Sequence, residues 1–193
     1  MKKLILTLLV AASTYCSQAQ NELTADPNHS RVAFTIDHLG VTEVTGQFNT
    51  YEINFASSKP NLSDASFDVT IQVKSIDTNV DMRDKHLLSE DFFDVGKYDK
   101  IVFKSTGVKL VSGNKYKVTG ELVMHGITKT VTMDMVYKGK AKNPAADNAE
   151  VTGIQVTGVV KRSDFNLGPK YPAPMLSDAV TLKFDGEFIK RKK

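Results

Sequence analysis

Residues 75–105, SIDTNVDMRDKHLLSEDFFDVGKYDKIVFKS, interrupt a chain whose apolar residues otherwise fall on every second position. That alternation is typical of β-strands with one buried face. Inside the quoted stretch the apolar spacing becomes irregular. It therefore predicts a non-strand insert within a β-protein.

Two short helices, at about 79–88 and 89–95, are predicted within the insert. Thr78 and Ser89 stand where an N-cap residue would begin each one. Helices of this length are not stable alone, so their apolar side must lie against the sheet, most economically as a plug over one end. The apolar residues of the insert are Met82, Leu87, Leu88, Phe92, Phe93 and Val95.

The polar side of the insert carries four consecutive ionisable residues, Arg83, Asp84, Lys85 and His86. They form either a solvated helix face or a mouth that recognises a polar head group. Within this set, Asp84 is expected to pair with a nearby cation and pin the insert in place.

Eight alternating segments predict eight long strands, mostly joined by hairpin-length links. His125-Gly126 is predicted to form one tight hairpin. Near Asn49 and Thr50 the alternation changes parity, which predicts a β-bulge. The segment 163–178 is predicted to cross the surface in extended form because it holds three prolines. The strands are expected at 32–36, 41–55, 65–73, from 101, and at 116–124, 131–137, 154–160 and 180–188.

Eight antiparallel strands favour a sheet that closes into a barrel, because closure removes exposed edges. The predicted fold class is therefore all-β, an eight-stranded antiparallel β-barrel with a short helical insert between strands three and four. An outer-membrane barrel would show the same alternation. The absence of Trp, the basic C-terminal end and the amphipathic insert favour a barrel with its apolar side inward.

The first residues have the pattern of a Sec signal peptide, with an apolar run at 4–12 and Ser17-Gln18-Ala19 as the cleavage site. We expect residues 1–19 to be removed and 20–193 to form one exported, periplasmic domain. A lipoprotein would instead begin at Cys16, but Thr14 and Tyr15 fit that signal poorly. Because Cys16 is the only cysteine, the mature chain would contain none and would depend on its core for stability.

Charge argues against a nucleic-acid partner. Removing Lys2 and Lys3 from the 25 basic residues leaves 23 against 22 acidic ones, whereas nucleic-acid binding requires a strongly basic surface. The exception is the basic end, residues 190–193. It is either a solubilising tail or a segment that contacts an anionic membrane surface.

The inward positions are almost entirely apolar, which allows either a filled core or a tunnel around an apolar ligand. Three methionines on adjacent strands favour the tunnel slightly, since Met adapts to irregular shapes. The predicted lining is Phe34, Ile36, Phe48, Phe67, Val69, Ile71, Phe103, Leu122, Met124, Met133, Met135, Ile154, Val156, Leu182 and Phe184.

Several short stretches are each weak evidence alone, but their number and order are specific. They are Asp26-Pro27-Asn28-His29-Ser30, Val44-Thr45-Gly46-Gln47-Phe48, Ile76-Asp77-Thr78, Arg83-Asp84-Lys85-His86-Leu87, Asp91-Phe92-Phe93, Gly120-Glu121-Leu122, His125-Gly126-Ile127-Thr128-Lys129 and Arg162-Ser163-Asp164-Phe165. Together, these stretches resemble the YceI-like family of polyisoprenoid-binding periplasmic proteins.

The resemblance implies a lipocalin-like barrel whose internal tunnel holds a polyisoprenoid or an isoprenoid quinone. Asp99 and Asn166 depart from the family pattern, which often has Pro and Gly there. Asn tolerates a left-handed backbone conformation, so we expect Asn166 to be compatible with the family's fold. Our head-group candidates are His38, Arg83, Asp84 and His86, chosen for their chemistry.

Other functions remain open as alternatives. One is an envelope or partner-binding protein with a filled core, and another is an enzyme acting on an isoprenoid. No metal or cofactor is expected, because the histidines lack ligand spacing and no phosphate-binding or nucleophile motif is present. The sequence leaves open whether the chain forms a homodimer.

Overall fold

Alternating apolar residues place one face of each strand inward, and the resulting sheet closes on itself. The computed structural model describes residues 21–190. Its strands are β1 (Asn21–His38), β2 (Thr42–Phe48), β3 (Tyr51–Ser57), β4 (Ser66–Gln72), β5 (Ile76–Asp77), β6 (Lys100–Ser112), β7 (Lys115–Met124), β8 (Ile127–Asn143), β9 (Ala149–Lys161) and β10 (Leu176–Lys190). The helix α1 spans Asp81–Leu87, and 3₁₀ turns cover Val73–Ser75, Pro144–Ala146 and Arg162–Phe165.

The barrel closes where β1 pairs antiparallel with β10, for example at Phe34 and Leu182. On its other side β1 pairs with β2 and, through its first residues, with β3. The remaining order is β3, β4, β6, β7, β8, β9 and β10. Since β2 and β3 follow one another as one side of the barrel, the wall has eight strands. The predicted eight-stranded antiparallel barrel with a short helix is confirmed.

The predicted strand at 41–55 is divided, so a break replaces the expected bulge. The reason is a side-chain and backbone contact at Ser75. The amide of Asn49 donates to the Ser75 carbonyl at 3.0 Å, and the amide of Thr50 donates to its hydroxyl at 2.9 Å. These two amides are satisfied away from the sheet, so the strand can bend there.

The His125-Gly126 hairpin between β7 and β8 is confirmed. Both residues have positive φ, 50° and 73°, the combination that a two-residue type I′ turn requires. A side chain at Gly126 would also collide with the Tyr98 ring, because its Cβ would lie only 2.6 Å from a ring carbon. Glycine is thus needed there for both backbone and space.

The insert forms only one helix, α1, so the predicted helix at 89–95 is wrong. After Leu87 the chain turns back on itself: the amide of Phe93 donates to the Leu87 carbonyl at 3.0 Å, and Asp94 takes a left-handed φ of 45°. A left-handed residue cannot continue an α-helix. Thr78 is not an N-cap either, because the helix begins after Val80 without a side-chain cap.

The segment 163–178 is not extended as predicted. It begins with a 3₁₀ turn and winds around the buried Arg162 guanidinium, which binds carbonyl oxygens along it. Asn166 has a left-handed φ of 54°, the conformation that this residue tolerates in place of glycine. Within residues 21–190, no helix is long and apolar enough to cross a membrane.

Candidate functional site

The barrel interior is filled at one end and hollow at the other. At the filled end, Met135, Ile154 and Phe188 have no exposed surface. Phe55 packs against Phe67 and Phe188, with ring centroids 5.0 and 5.6 Å apart. These side chains form a floor that closes the barrel.

Above this floor lies a cavity of about 520 Å³, walled almost entirely by apolar side chains. The structure places thirteen of the fifteen predicted lining residues on its wall: Phe34, Ile36, Phe48, Phe67, Val69, Ile71, Phe103, Leu122, Met124, Met133, Val156, Leu182 and Phe184.

Met135 and Ile154, the other two, lie outside the cavity, in the floor. They point inward as predicted, but each lies two positions beyond a lining residue, Met133 and Val156 respectively. Alternation reports which face of a strand is inside and not how far a cavity extends along it. Further lining residues that the prediction missed include Val118, Val160 and Val180 on the strands and Leu167, Tyr171 and Met175 on the β9–β10 loop.

The insert lies over the hollow end of the barrel, as predicted. Phe93 meets Phe48 edge-on, with ring centroids 6.2 Å apart, and Leu87 and Leu88 pack against the core. Leu87, Phe92 and Phe93 therefore form part of the cavity wall.

Arg83 is held in place by two hydrogen bonds to Thr78. Its Nε donates to the Thr78 hydroxyl and its Nη2 to the Thr78 carbonyl, both at 2.7 Å. Its side chain lines the cavity, and Nη1 makes no hydrogen bond to any residue in 21–190. A cationic donor is thus held at the mouth and left available.

Asp84 has a different place from the other head-group candidates. It accepts hydrogen bonds from the amide and the hydroxyl of Thr78, and it is absent from the cavity wall. The pairing with a cation that the sequence predicted for Asp84 is therefore wrong: among the described residues its partner is the buried, neutral Thr78, which in turn holds Arg83. His38 and His86 do line the cavity at its exposed rim.

A polar network joins the insert to the β9–β10 loop beside His86. The Nε2 atom of His86 lies 3.2 Å from an Asp91 carboxylate oxygen and 3.1 Å from the Tyr171 hydroxyl. Lys170 binds the other carboxylate oxygen. The hydrogen bond from Lys170, followed by that from His86, lowers the pKa of Asp91, and Asp91 raises the pKa of Lys170. Phe92 stacks on Tyr171 with ring centroids 5.0 Å apart.

A second polar cluster lies at the filled end, away from the cavity. Among the described residues, Asp26, His29 and Glu187 have ligand-type atoms within 4.8 Å of one another. His29 Nδ1 is 2.8 Å from an Asp26 oxygen, and both residues belong to the irregular stretch where β1 shifts register against β10. Their hydrogen bond pins this irregularity, and none of the three residues lines the cavity.

The geometry suits retention of an apolar chain. Thirteen predicted aromatic and aliphatic side chains wall the cavity, while Arg83, His86 and Tyr171 gather at its mouth. A long tail would lie inside, and a polar head would meet donors at the rim.

Comparison with known proteins gives a consistent result. The family model of the YceI-like domain matches residues 23–188. A UPF0312 protein of Photorhabdus laumondii subsp. laumondii is 36% identical over 167 residues, covering 84% of this chain and 85% of the relative.

Solved structures share the barrel. BcnA of Burkholderia cenocepacia superposes with a TM-score of 0.75 at 25% identity, over 86% of this chain and 99% of that one. A polyisoprenoid binding domain from Saccharophagus degradans, implicated in plant cell wall breakdown, superposes with a TM-score of 0.65 over 90% of this chain and 100% of that one. At 13% identity, this second likeness shows the fold alone.

Proposed function

The chain belongs to the YceI-like family, and from that premise we propose that it binds a long apolar amphiphile, a polyisoprenoid or an isoprenoid quinone, and sequesters or carries it. The observation that carries the proposal is the apolar cavity of about 520 Å³ that opens beside Arg83 and His86. The Saccharophagus degradans domain, described as polyisoprenoid-binding, supports the choice of ligand class.

Burial of the tail supplies most of the affinity. Each methylene removed from water contributes about 0.8 kcal/mol, so one isoprene unit contributes roughly 3 to 4 kcal/mol before ordering costs. Such a tail gives little selectivity, because any apolar chain of similar width would gain as much. Selectivity then depends on the polar residues at the mouth.

Arg83 is the main head-group residue in this proposal, with His86 and His38 beside it. The free Nη1 of Arg83 can donate charge-assisted hydrogen bonds to an anionic head group or to a quinone carbonyl. Asp84 acts indirectly, by holding Thr78 and through it the Arg83 side chain.

We propose a binding protein rather than an enzyme, since the wall offers apolar contact and the polar groups stand at the entrance. The hollow interior also argues against the filled-core alternative. Export to the periplasm is supported by the sequence of residues 1–19, which lie outside the described range. Contact of the basic tail with an anionic membrane surface and formation of a homodimer stay predictions.

The test is denaturing extraction of purified protein followed by mass spectrometry. We expect an isoprenoid lipid in a stoichiometry near one per chain. The double variant Arg83→Ala/His86→Ala should fold normally and bind an anionic or quinone ligand more weakly, by about 1.5 to 3 kcal/mol for each hydrogen bond lost. Lys85→Ala, on the same helix but absent from the cavity wall, is the matched control.

The two variants separate the possible results. A hydrocarbon of equal length should bind the double variant and the wild type alike, because it makes no head-group contact. Recovery of no lipid, with no uptake on reconstitution, would refute binding. Chemical turnover of the lipid, lost in the double variant, would instead establish an enzyme.

A further inference from the structure

The floor of the cavity is a packed layer that leaves no passage through the barrel. Met135, Ile154 and Phe188 have no exposed surface, and Phe188 contacts the lining residues Phe67 and Phe184 with ring centroids 6.4 and 5.6 Å apart. A chain that enters from the mouth therefore meets side chains from several strands at one depth. Moving them would open a close-packed core.

The depth of the cavity follows from the strand positions that line it. On β7 the lining extends from Met124 to Val118, and on β10 from Leu176 to Phe184. At about 3.3 Å per residue these runs measure about 20 and 26 Å. A strand tilt of about 40° reduces them to roughly 15 and 20 Å along the barrel axis.

An extended isoprene repeat is about 5 Å long. An extended polypeptide advances about 3.5 Å over three backbone bonds, or about 1.2 Å per bond, and an isoprene repeat has four such bonds. The depth of the cavity thus matches three to four isoprene units.

The volume gives the same answer independently. An apolar cavity of about 150 Å³ accepts benzene, which is about 25 Å³ per carbon atom. By that measure the cavity of about 520 Å³ holds roughly 20 carbon atoms, or four isoprene units.

We propose that the floor formed by Phe67, Met135 and Phe188 sets an upper limit of three to four isoprene units on the apolar chain that the barrel encloses. This inference rests on the proposed function, and it specifies how much of the ligand's tail contributes to affinity. Any part of a longer tail stays outside the barrel and adds no affinity.

The test is a series of all-trans prenols, geraniol, farnesol, geranylgeraniol and solanesol, with two, three, four and nine isoprene units. Each is delivered from cyclodextrin, and its affinity is read from displacement of a fluorescent apolar probe. We expect affinity to rise roughly tenfold or more per unit up to geranylgeraniol. Between geranylgeraniol and solanesol it should change by less than about threefold, because the additional units remain outside.

Two variants should shift, in opposite directions, the chain length at which affinity reaches its plateau. Val156→Phe, just above the floor, should shorten that length by about one isoprene unit. Phe67→Ala should lengthen it, and if that variant does not fold, Val156→Phe decides alone. Val159→Phe is the matched control, since Val159 lies on the same strand with 63% of its surface exposed.

The possible outcomes distinguish failure of the length limit from failure of the proposed lipid binding. If affinity rises as steeply beyond four units as below, or if the plateau stays in place in a folded Val156→Phe, the length limit is wrong while lipid binding stands. If neither the probe nor any prenol binds, the proposed function fails and the limit fails with it.

Discussion

Arg162 is a buried cation whose five N–H donors all bind main-chain carbonyl oxygens. The acceptors belong to Leu167, Gly168, Tyr171, Leu176 and Ser177, all in the β9–β10 loop or at the start of β10. An arginine has five such donors, so this one is fully satisfied. It therefore organises the loop that carries Tyr171 and Met175 and offers no donor to a ligand.

Replacing Arg162 with Met should destabilise the protein by roughly 3 kcal/mol or more, because buried carbonyl groups would lose their partners. Urea unfolding measures the loss, and amide exchange should become fastest in residues 166–178. Lys161→Met, at an exposed neighbouring position, should change the unfolding free energy by less than about 0.5 kcal/mol. Equal stability of the two variants would show that the loop does not depend on the guanidinium.

The His29–Asp26 pair predicts a pH-dependent contribution to stability. The hydrogen bond that the His29 ring donates to the Asp26 carboxylate raises the pKa of His29 and lowers the pKa of Asp26. The contribution of His29 is complete below its ordinary pKa of about 6.5 and is lost as pH rises through its folded-state pKa. The contribution of Asp26 is complete above about 3.9 and is lost as pH falls through its own lowered value.

We therefore expect His29→Ala to lower the melting temperature between about pH 4 and 6.5 and to have progressively less effect at higher pH. Thermal unfolding across this range measures the difference. In an Asp26→Asn background the same substitution should show no such pH dependence, as a double-mutant cycle requires for a true pair. A difference that grows with pH would contradict the assignment.

The insert is held by side-chain hydrogen bonds more than by its helix. α1 has seven residues, no buried residue and no side-chain cap at Val80. Instead, Asp84 on its first turns accepts from the amide and hydroxyl of Thr78, which is buried. This pair ties the helix start to β5 and positions Arg83.

Asp84→Ala should weaken the insert by about 1 to 2 kcal/mol, the usual cost of losing a capping-type hydrogen bond. Amide exchange should accelerate over residues 78–95 and stay unchanged in β7 and β8. Asp81→Ala, an exposed carboxylate in the same turn, is the control and should have a smaller effect. If both variants exchange alike, Asp84 acts only through the helix dipole.

The sequence predicts those elements whose hydrogen bonds come from neighbouring strands. The alternation along β4 and β7 is such a case, because each inward residue has a fixed face. The errors occur where other contacts replace the hydrogen bonds between strands. Ser75 binds the amides at the break between β2 and β3, and Arg162 binds the loop carbonyls. Thr50 and Ser75 are 25 residues apart, and the carbonyls that Arg162 binds lie 5 to 15 residues from it, so neither contact follows a helical or strand period that the sequence would reveal.

The candidate site also contains residues that the sequence predicts and residues that it does not. Most of the lining could be predicted because parity selects the inward face of each strand. Parity does not give depth, so Met135 and Ile154 belong to the floor. Arg83 and His86 were found through their chemistry, whereas Tyr171 had no signal, since its position depends on a loop shaped by Arg162.

Taken as one molecule, the barrel separates stability from binding along its axis. The floor cluster around Phe188 is buried and close-packed, whereas some lining residues above it, such as Met133 and Val156, are only half-buried and face open space. Adding volume in the floor should strain the fold, because a packed core accommodates extra atoms poorly. Adding volume in the cavity should displace ligand and leave the lipid-free fold intact.

Met133→Trp tests this separation directly. Met133 lies over Gly158 on the neighbouring strand, and its Cγ would be only 2.6 Å from a Cβ at that glycine, so its side chain extends across the wall into the cavity. The larger indole should reduce the lipid extracted per chain, while the unfolding free energy of the lipid-free protein changes little. Met82→Trp, at a position with 83% of its surface exposed, is the control and should leave uptake unchanged. If the Met133 variant loses about 1 to 3 kcal/mol of stability and takes up as much lipid as the wild type, Met133 belongs to a filled core.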